Sequence, residues 1–95
     1  MAGNKVKQVH LIISGRVQGV LFRSNTKNQA DKLEITGWVK NLPNGSVEIT
    51  AQGKRETLDN LISWCKAGPL FAKVEKLKVK WQKPSDFFQT FEIIY

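Results

Sequence analysis

The sequence predicts an α/β (α+β) sandwich of the ferredoxin-like, split βαβ kind: an antiparallel sheet of four to five strands with two helices on one face. Three observations lead there. Strand-like runs occupy residues 6–14, 36–41, 46–52 and 72–82, with a short one at the end of the chain. Two stretches between them, residues 22–33 and the region of Leu58 to Cys65, carry helical spacing instead. The pair Asn44 and Gly45 joins the second and third runs, a short-range hairpin signal that makes those runs antiparallel neighbours. At 95 residues one compact domain, 1–95, is expected.

In the first run Val9, Leu11 and Ile13 alternate with Gln8, His10, Ile12 and Ser14, the pattern of a strand with one buried face. GRVQGV, residues 15–20, follows as a glycine-bounded loop before the first helix. That helix has a thin apolar face: Phe22, Ala30 and Leu33 share it with Thr26 and Gln29. Leu58, Leu61, Ile62 and Cys65 define a second amphipathic helix, stopped by Gly68 and Pro69. Leu77, Val79 and Trp81 then alternate with Lys76, Lys78, Lys80 and Gln82, which reads as a strand. KPSDFFQ, residues 83–89, reads as a surface loop, and Phe91, Ile93 and Tyr95 are in register for a last strand.

Apolar residues make up 41% of the chain, enough for a packed core and too many for a disordered one. Fifteen Lys and Arg against eight Asp and Glu leave a net charge of +7, which favours an anionic partner without saying which. Cys65 is the only cysteine, so no intrachain disulfide is available, and its helical spacing marks it as a core thiol rather than a nucleophile. The first residues, MAGNKVKQVH, hold no apolar run before a cleavage site, and no segment reaches membrane-spanning length. A non-exported, cytoplasmic protein without membrane attachment is expected.

The chemistry concentrates in GRVQGVLFR, residues 15–23. A glycine-containing loop between a strand and a helix start offers free backbone N–H groups and the positive end of a helix dipole, a setting that favours phosphate. Arg23, in the first helical turn, adds a planar charged fork matched to phosphate oxygens. Such loops also occur as plain turns, and the loop taken alone fits either reading. It is not a Walker loop, because no Gly-Lys-Ser/Thr follows.

GRVQGVLFR followed by GWVKNLPNGSVEITAQG, residues 37–53, closely resembles the paired signature of the acylphosphatase family. The resemblance extends over nearly the whole chain, including WCKAGP at the end of the second helix. It implies a ferredoxin-like sandwich that hydrolyses the carboxyl–phosphate bond of acyl phosphates to carboxylate and inorganic phosphate, with no cofactor and no metal. Arg23, in the matching FR pair, is similar to the family's phosphate-binding arginine, and Asn41, in the matching VKN, to the asparagine that positions the attacking water. Residues 16–20 match the loop whose N–H groups hold the phosphoryl oxygens. The implied phosphate-binding set is therefore Gly15, Arg16, Val17, Gln18, Gly19, Val20 and Arg23, with Arg23 and Asn41 catalytic. Inorganic phosphate or sulfate would compete for the same place, and a monomer is expected. Leu21 departs from the pattern, since relatives often carry a small residue there, and SNTKNQ makes the first helix less apolar than in many relatives; both bear on the acyl side of the pocket.

The implied substrate agrees with these parts. An acyl phosphate is a mixed anhydride whose carboxylate leaves readily, so no strong general acid is required. Phosphoryl transfer spreads charge over the equatorial oxygens, which N–H donors and an arginine can meet. Asn41 does not titrate, yet its amide can hold a water in line with phosphorus.

Other readings are weaker. His10, the lone histidine, reads as a structural or surface residue, and no Cys, His and carboxylate cluster has metal-ligand spacing. Asp31, Glu34, Asp59 and Asp86 form no paired-carboxylate constellation. A nucleic-acid-binding module could use Lys76, Lys78 and Lys80, but SVEITAQ lacks the aromatic signature that an RNA-binding domain of this topology needs on a central strand. A non-catalytic relative that only binds an acyl or carbamoyl phosphate is disfavoured by the presence of both Arg23 and Asn41.

Overall fold

Alternation in the first strand decides which face of the sheet is covered. In the computed structural model, which describes residues 5–84 and 86–95, Val9, Leu11 and Ile13 are wholly buried while His10 and Ile12 are half-buried. Residues 1–4 of the N-terminal stretch and Ser85 of the expected loop lie outside the described residues. The elements are β1 (Lys7–Arg16), α1 (Phe22–Lys32), β2 (Thr36–Asn41), β3 (Val47–Gly53), α2 (Arg55–Ala67), β4 (Lys73–Gln82) and β5 (Phe91–Ile94). They form one five-stranded sheet in the order β4-β1-β3-β2-β5.

Cross-strand register assembles the core in rows. Trp81, Val9, Ala51, Gly37 and Phe91 make one row, and Val79, Leu11, Ile49, Val39 and Ile93 the next. Both helices press on this side, α1 against β2 and β5 and α2 against β3 and β4. The other side carries His10, Glu48, Lys40, Lys78 and Lys80. There His10 Nε2 lies 2.7 Å from Glu48 Oε2, a partner that accounts for the histidine structurally.

Two sequence expectations are corrected. β1–β4 form the antiparallel sheet expected, but β5 joins parallel to β2. After β4 the chain reverses direction once and crosses to the opposite edge, and a strand arriving that way lies alongside β2. A glutamine ladder guides this crossing on the face away from the helices: Gln8 Nε2 donates to Gln82 Oε1 (2.9 Å) and Gln52 Nε2 to Gln8 Oε1 (2.8 Å). Gln52 Nε2 also donates to the Asp86 carbonyl, and the Phe88 N–H donates to Gln52 Oε1 at 3.5 Å.

The second correction concerns Gly15 and Arg16, expected in the loop. Both belong to β1, because a register shift between Ser14 and Gly15 lets the strand go on pairing with Val74 and Lys73 of β4. Gly15 has φ 123°, and a Cβ there would lie 2.2 Å from the Lys73 carbonyl oxygen, so only glycine fits.

The thin face of α1 works because its one buried polar member, Thr26, is satisfied locally while Gln29 is only half-buried. Phe22, Thr26 and Ala30 are buried at i, i+4 and i+8, and Thr26 Oγ1 donates to the Phe22 carbonyl at 2.7 Å. On α2 the expected Leu58, Leu61, Ile62 and Cys65 are the buried residues, and Gly68 caps the end with its N–H on the Trp64 carbonyl at 2.8 Å. Phe22 and Trp64 join the helices through tilted rings with centroids 5.6 Å apart. Asp31 and Asp59 pair with Lys27 and Arg55 on the outer helix surfaces.

Burial pushes the Cys65 thiol from 9.0 up to about 12. The folded chain therefore holds a proton that the unfolded chain loses above about pH 9, and stability falls as pH rises through that window. Denaturant titrations at pH 8 and pH 10.5 should show the wild type losing stability relative to Cys65→Ala by up to about 1.4 kcal/mol per pH unit. Identical pH slopes for the two proteins would mean that the folded thiol ionises as freely as an exposed one.

Candidate active site

β1 and β2 flank β3 and run the same way, so the chain leaves both at the same end of the sheet. Asn41, the last residue of β2, pairs with Val47, and alternation from Val39 turns it to the helix-covered side. The turn from β1 into α1, residues 17–21, emerges beside it. Val17 is anchored, with its side chain buried and its N–H on the Gly15 carbonyl at 3.1 Å.

Beyond Val17 the main-chain donors are poorly engaged among the described residues. The N–H groups of Gln18, Gly19, Val20, Leu21, Phe22 and Arg23, in and after the turn at residues 18–21, make no well-aligned hydrogen bond among the described residues. Leu21 caps α1 in the left-handed conformation (φ 63°, ψ 26°), no side chain caps the helix, and its first turn holds no acidic residue. Nothing within the helix end competes with an incoming anion for these donors.

Gly19, Leu21, Phe22, Arg23, Asn41 and Tyr95 are among the residues lining a cleft of about 270 Å³, and no Asp, Glu, His or Lys lines it. Half-buried Arg23 is steadied by the end of the chain: its Nη1 donates to the Ile94 carbonyl at 3.4 Å and its Cζ lies 4.9 Å from the centre of the Tyr95 ring. The Asn41 side chain is half-buried and makes no hydrogen bond with the described residues, which leaves both ends of its amide for a ligand or water. This combination of anion donors, a guanidinium and an unengaged amide can hold a tetrahedral oxyanion and a water together.

Of the residues expected from the sequence, Val17, Gly19, Arg23 and Asn41 meet in this cleft. Arg16 and Val20 instead line a neighbouring hollow, with Gly19, Leu21 and Phe71. Gly15 stays in the sheet, its main chain paired with Val74. Ile93 and Tyr95 line the cleft without having been anticipated, since nothing local announces that β5 lies beside β2. No group of three or more His, Cys, Asp and Glu side chains able to hold a metal ion occurs among the described residues. No helix among them is long and apolar enough to cross a membrane.

Residues 9–93 match the family model described as Acylphosphatase. The chain belongs to the acylphosphatase family. It is 43% identical over 88 residues to the acylphosphatase of Roseiflexus sp. (strain RS-1), covering 93% of this chain and 95% of that one. An acylphosphatase structure from Coxiella burnetii matches it with a TM-score of 0.91 at 34% identity, over 99% of this chain and all (100%) of the other. The acylphosphatase structure from Bacillus subtilis gives a TM-score of 0.91 at 37% identity, over 96% of this chain and 100% of its own. An acylphosphatase-family chain with this sheet order has its free N–H row, Arg23 and Asn41 at one end of the sandwich.

Gln18 plays a part that sequence reading missed. Its Nε2 donates to the carbonyls of Leu42 and Ser46, each at 2.8 Å, and so straps the loop to the hairpin turn that follows Asn41. That turn is itself closed by Leu42 N–H on the Ser46 carbonyl and by Asn44 Oδ1 accepting from Ser46 N–H at 3.0 Å. Gln18→Ala removes two such bonds and should lower the unfolding free energy by about 1–3 kcal/mol in urea titrations. A loss below about 0.5 kcal/mol would mean that water replaces the strap without penalty.

Proposed function

We propose that this chain hydrolyses acyl phosphates, with the phosphoryl group held by the loop N–H groups and Arg23 and the water positioned by Asn41. The convergence of the N–H row, a guanidinium and an unengaged amide on one cleft carries this reading. The water oxygen attacks phosphorus as the bond to the acyl oxygen breaks, and the electron pair leaves with the carboxylate. The water's proton passes to a phosphoryl oxygen or to solvent, since no side chain among the described residues lining the cleft is a carboxylate, histidine or lysine.

Preorganised N–H dipoles and the Arg23 fork stabilise the charge that spreads over the equatorial oxygens. Asn41 contributes orientation instead, holding the water within reach of a phosphorus that faces it. Free phosphate and sulfate present the same oxygens and compete for the cleft.

Two variants separate binding from chemistry. Arg23→Ala should raise the inhibition constant of inorganic phosphate about 10- to 100-fold, the equivalent of about 1.5–3 kcal/mol for a charge-assisted contact, and should also reduce turnover. Arg23→Lys should remain impaired, because an ammonium keeps the charge and loses the fork; full activity in it would remove the fork geometry from the mechanism. Asn41→Ala should lower kcat on the order of 10²-fold with phosphate inhibition nearly unchanged. Should Asn41→Ala weaken phosphate as much as Arg23→Ala, or keep normal turnover, the division of labour between the two is wrong.

A further inference from the structure

Leu21 and Phe71 are 72% and 74% exposed, large apolar side chains on a strongly basic protein. With Arg16, Gly19 and Val20 they line a hollow of about 350 Å³, within the ordinary range of small-molecule sites. This hollow adjoins the active cleft, and Gly19 and Leu21 belong to the walls of both. A Cβ at Gly19 would meet nothing within 4 Å, so the space beside this shared wall is open there. Leu21 holds the left-handed conformation that glycine adopts without strain, a local cost at a residue that lines both spaces. Phe71 reaches the same hollow from the turn between α2 and β4.

We propose that the hollow receives the acyl group of the substrate, and that Leu21 and Phe71 select apolar acyl phosphates, aryl or branched aliphatic, over acetyl-sized ones. The inference rests on the hydrolase reading above. With the phosphoryl group on the loop donors, the acyl carbon is one bridging oxygen from phosphorus, and the hollow shares the Gly19 and Leu21 walls with that cleft. An apolar substituent covers Leu21, Val20 and Phe71 and removes them from water. Arg16 is the only charged residue among the described residues of the lining, and an arginine can lay its methylene stem along an apolar surface. An acetyl group offers only one methyl for such contact.

The test compares kcat/KM for acetyl, isobutyryl and benzoyl phosphate in the wild type, Phe71→Ala and Phe71→Leu. The wild type should prefer benzoyl phosphate, Phe71→Ala should reduce the benzoyl-to-acetyl ratio about tenfold, and Phe71→Leu should restore most of it. A ratio unchanged in Phe71→Ala overturns the proposal. Binding of phenylphosphonate and methylphosphonate, followed by amide NMR shifts, keeps the two readings apart. Phenylphosphonate alone should move the signals of Phe71. Hydrolysis without that shift would sink the acyl site and spare the enzyme, whereas the shift without hydrolysis would do the reverse.

Discussion

β3 lies between β1 and β2 and runs antiparallel to each, so the two outer strands point the same way and finish side by side at one end of the sheet. The candidate site depends on that pairing. It brings a turn from one part of the chain and Asn41 from another to a common cleft, and the Val39–Ile49 register turns Asn41 toward the helices. A slip of one residue would put the Asn41 amide on the lysine-bearing face and expose Val39 to water. Burial of the apolar rows thus enforces the geometry of the polar site.

The loop stands at odds with the rules that stabilise helices. A helix start ordinarily gains from an Asn, Asp, Ser or Thr cap and from acidic residues in its first turn. α1 has neither, and its cap position is a left-handed leucine. Each omission leaves a donor poorly satisfied or a backbone strained, and the N–H groups of residues 18–23 are left without a well-aligned partner among the described residues. Rigidity comes from neighbours instead: Gly15 packed on the Lys73 carbonyl, Val17 buried in the core, and Gln18 strapped to the hairpin turn. Local instability is concentrated where an anion would relieve it.

The two faces of the sheet have separate roles. On the open face Glu48 sits between His10 and Lys40, and Lys40 lies 5.2 Å from the Trp38 ring, so the half-buried aromatic of that face is already engaged. The central strands β1 and β3 offer Ile12, Thr50 and Glu48 there in place of stacking aromatics, and Lys76, Lys78 and Lys80 form a solvated outer row. The positive charge of the chain draws anions toward the molecule. The cleft at the sheet's end, lined by Arg23 and Asn41, is the place proposed for their capture.

The residues themselves determined most of the architecture. Period-two alternation in β1, the Leu58, Leu61, Ile62 and Cys65 stripe of α2, and the Asn44–Gly45 turn are local signals, and each survived folding because the apolar face it specifies found a partner. Arg23 and Asn41 were legible through motif likeness, and the structure gathers both at one cleft. What folding alone decided is long-range. The pairing of Gly15 and Arg16 with β4, the parallel entry of β5, the Gln18 strap, the contact of Tyr95 with Arg23, and the meeting of Leu21 with Phe71 join residues far apart in the chain. Sequence periodicity reports which face a residue turns inward, but which distant segment lies across from it is set by the order of strands in the sheet, and no local pattern encodes that order.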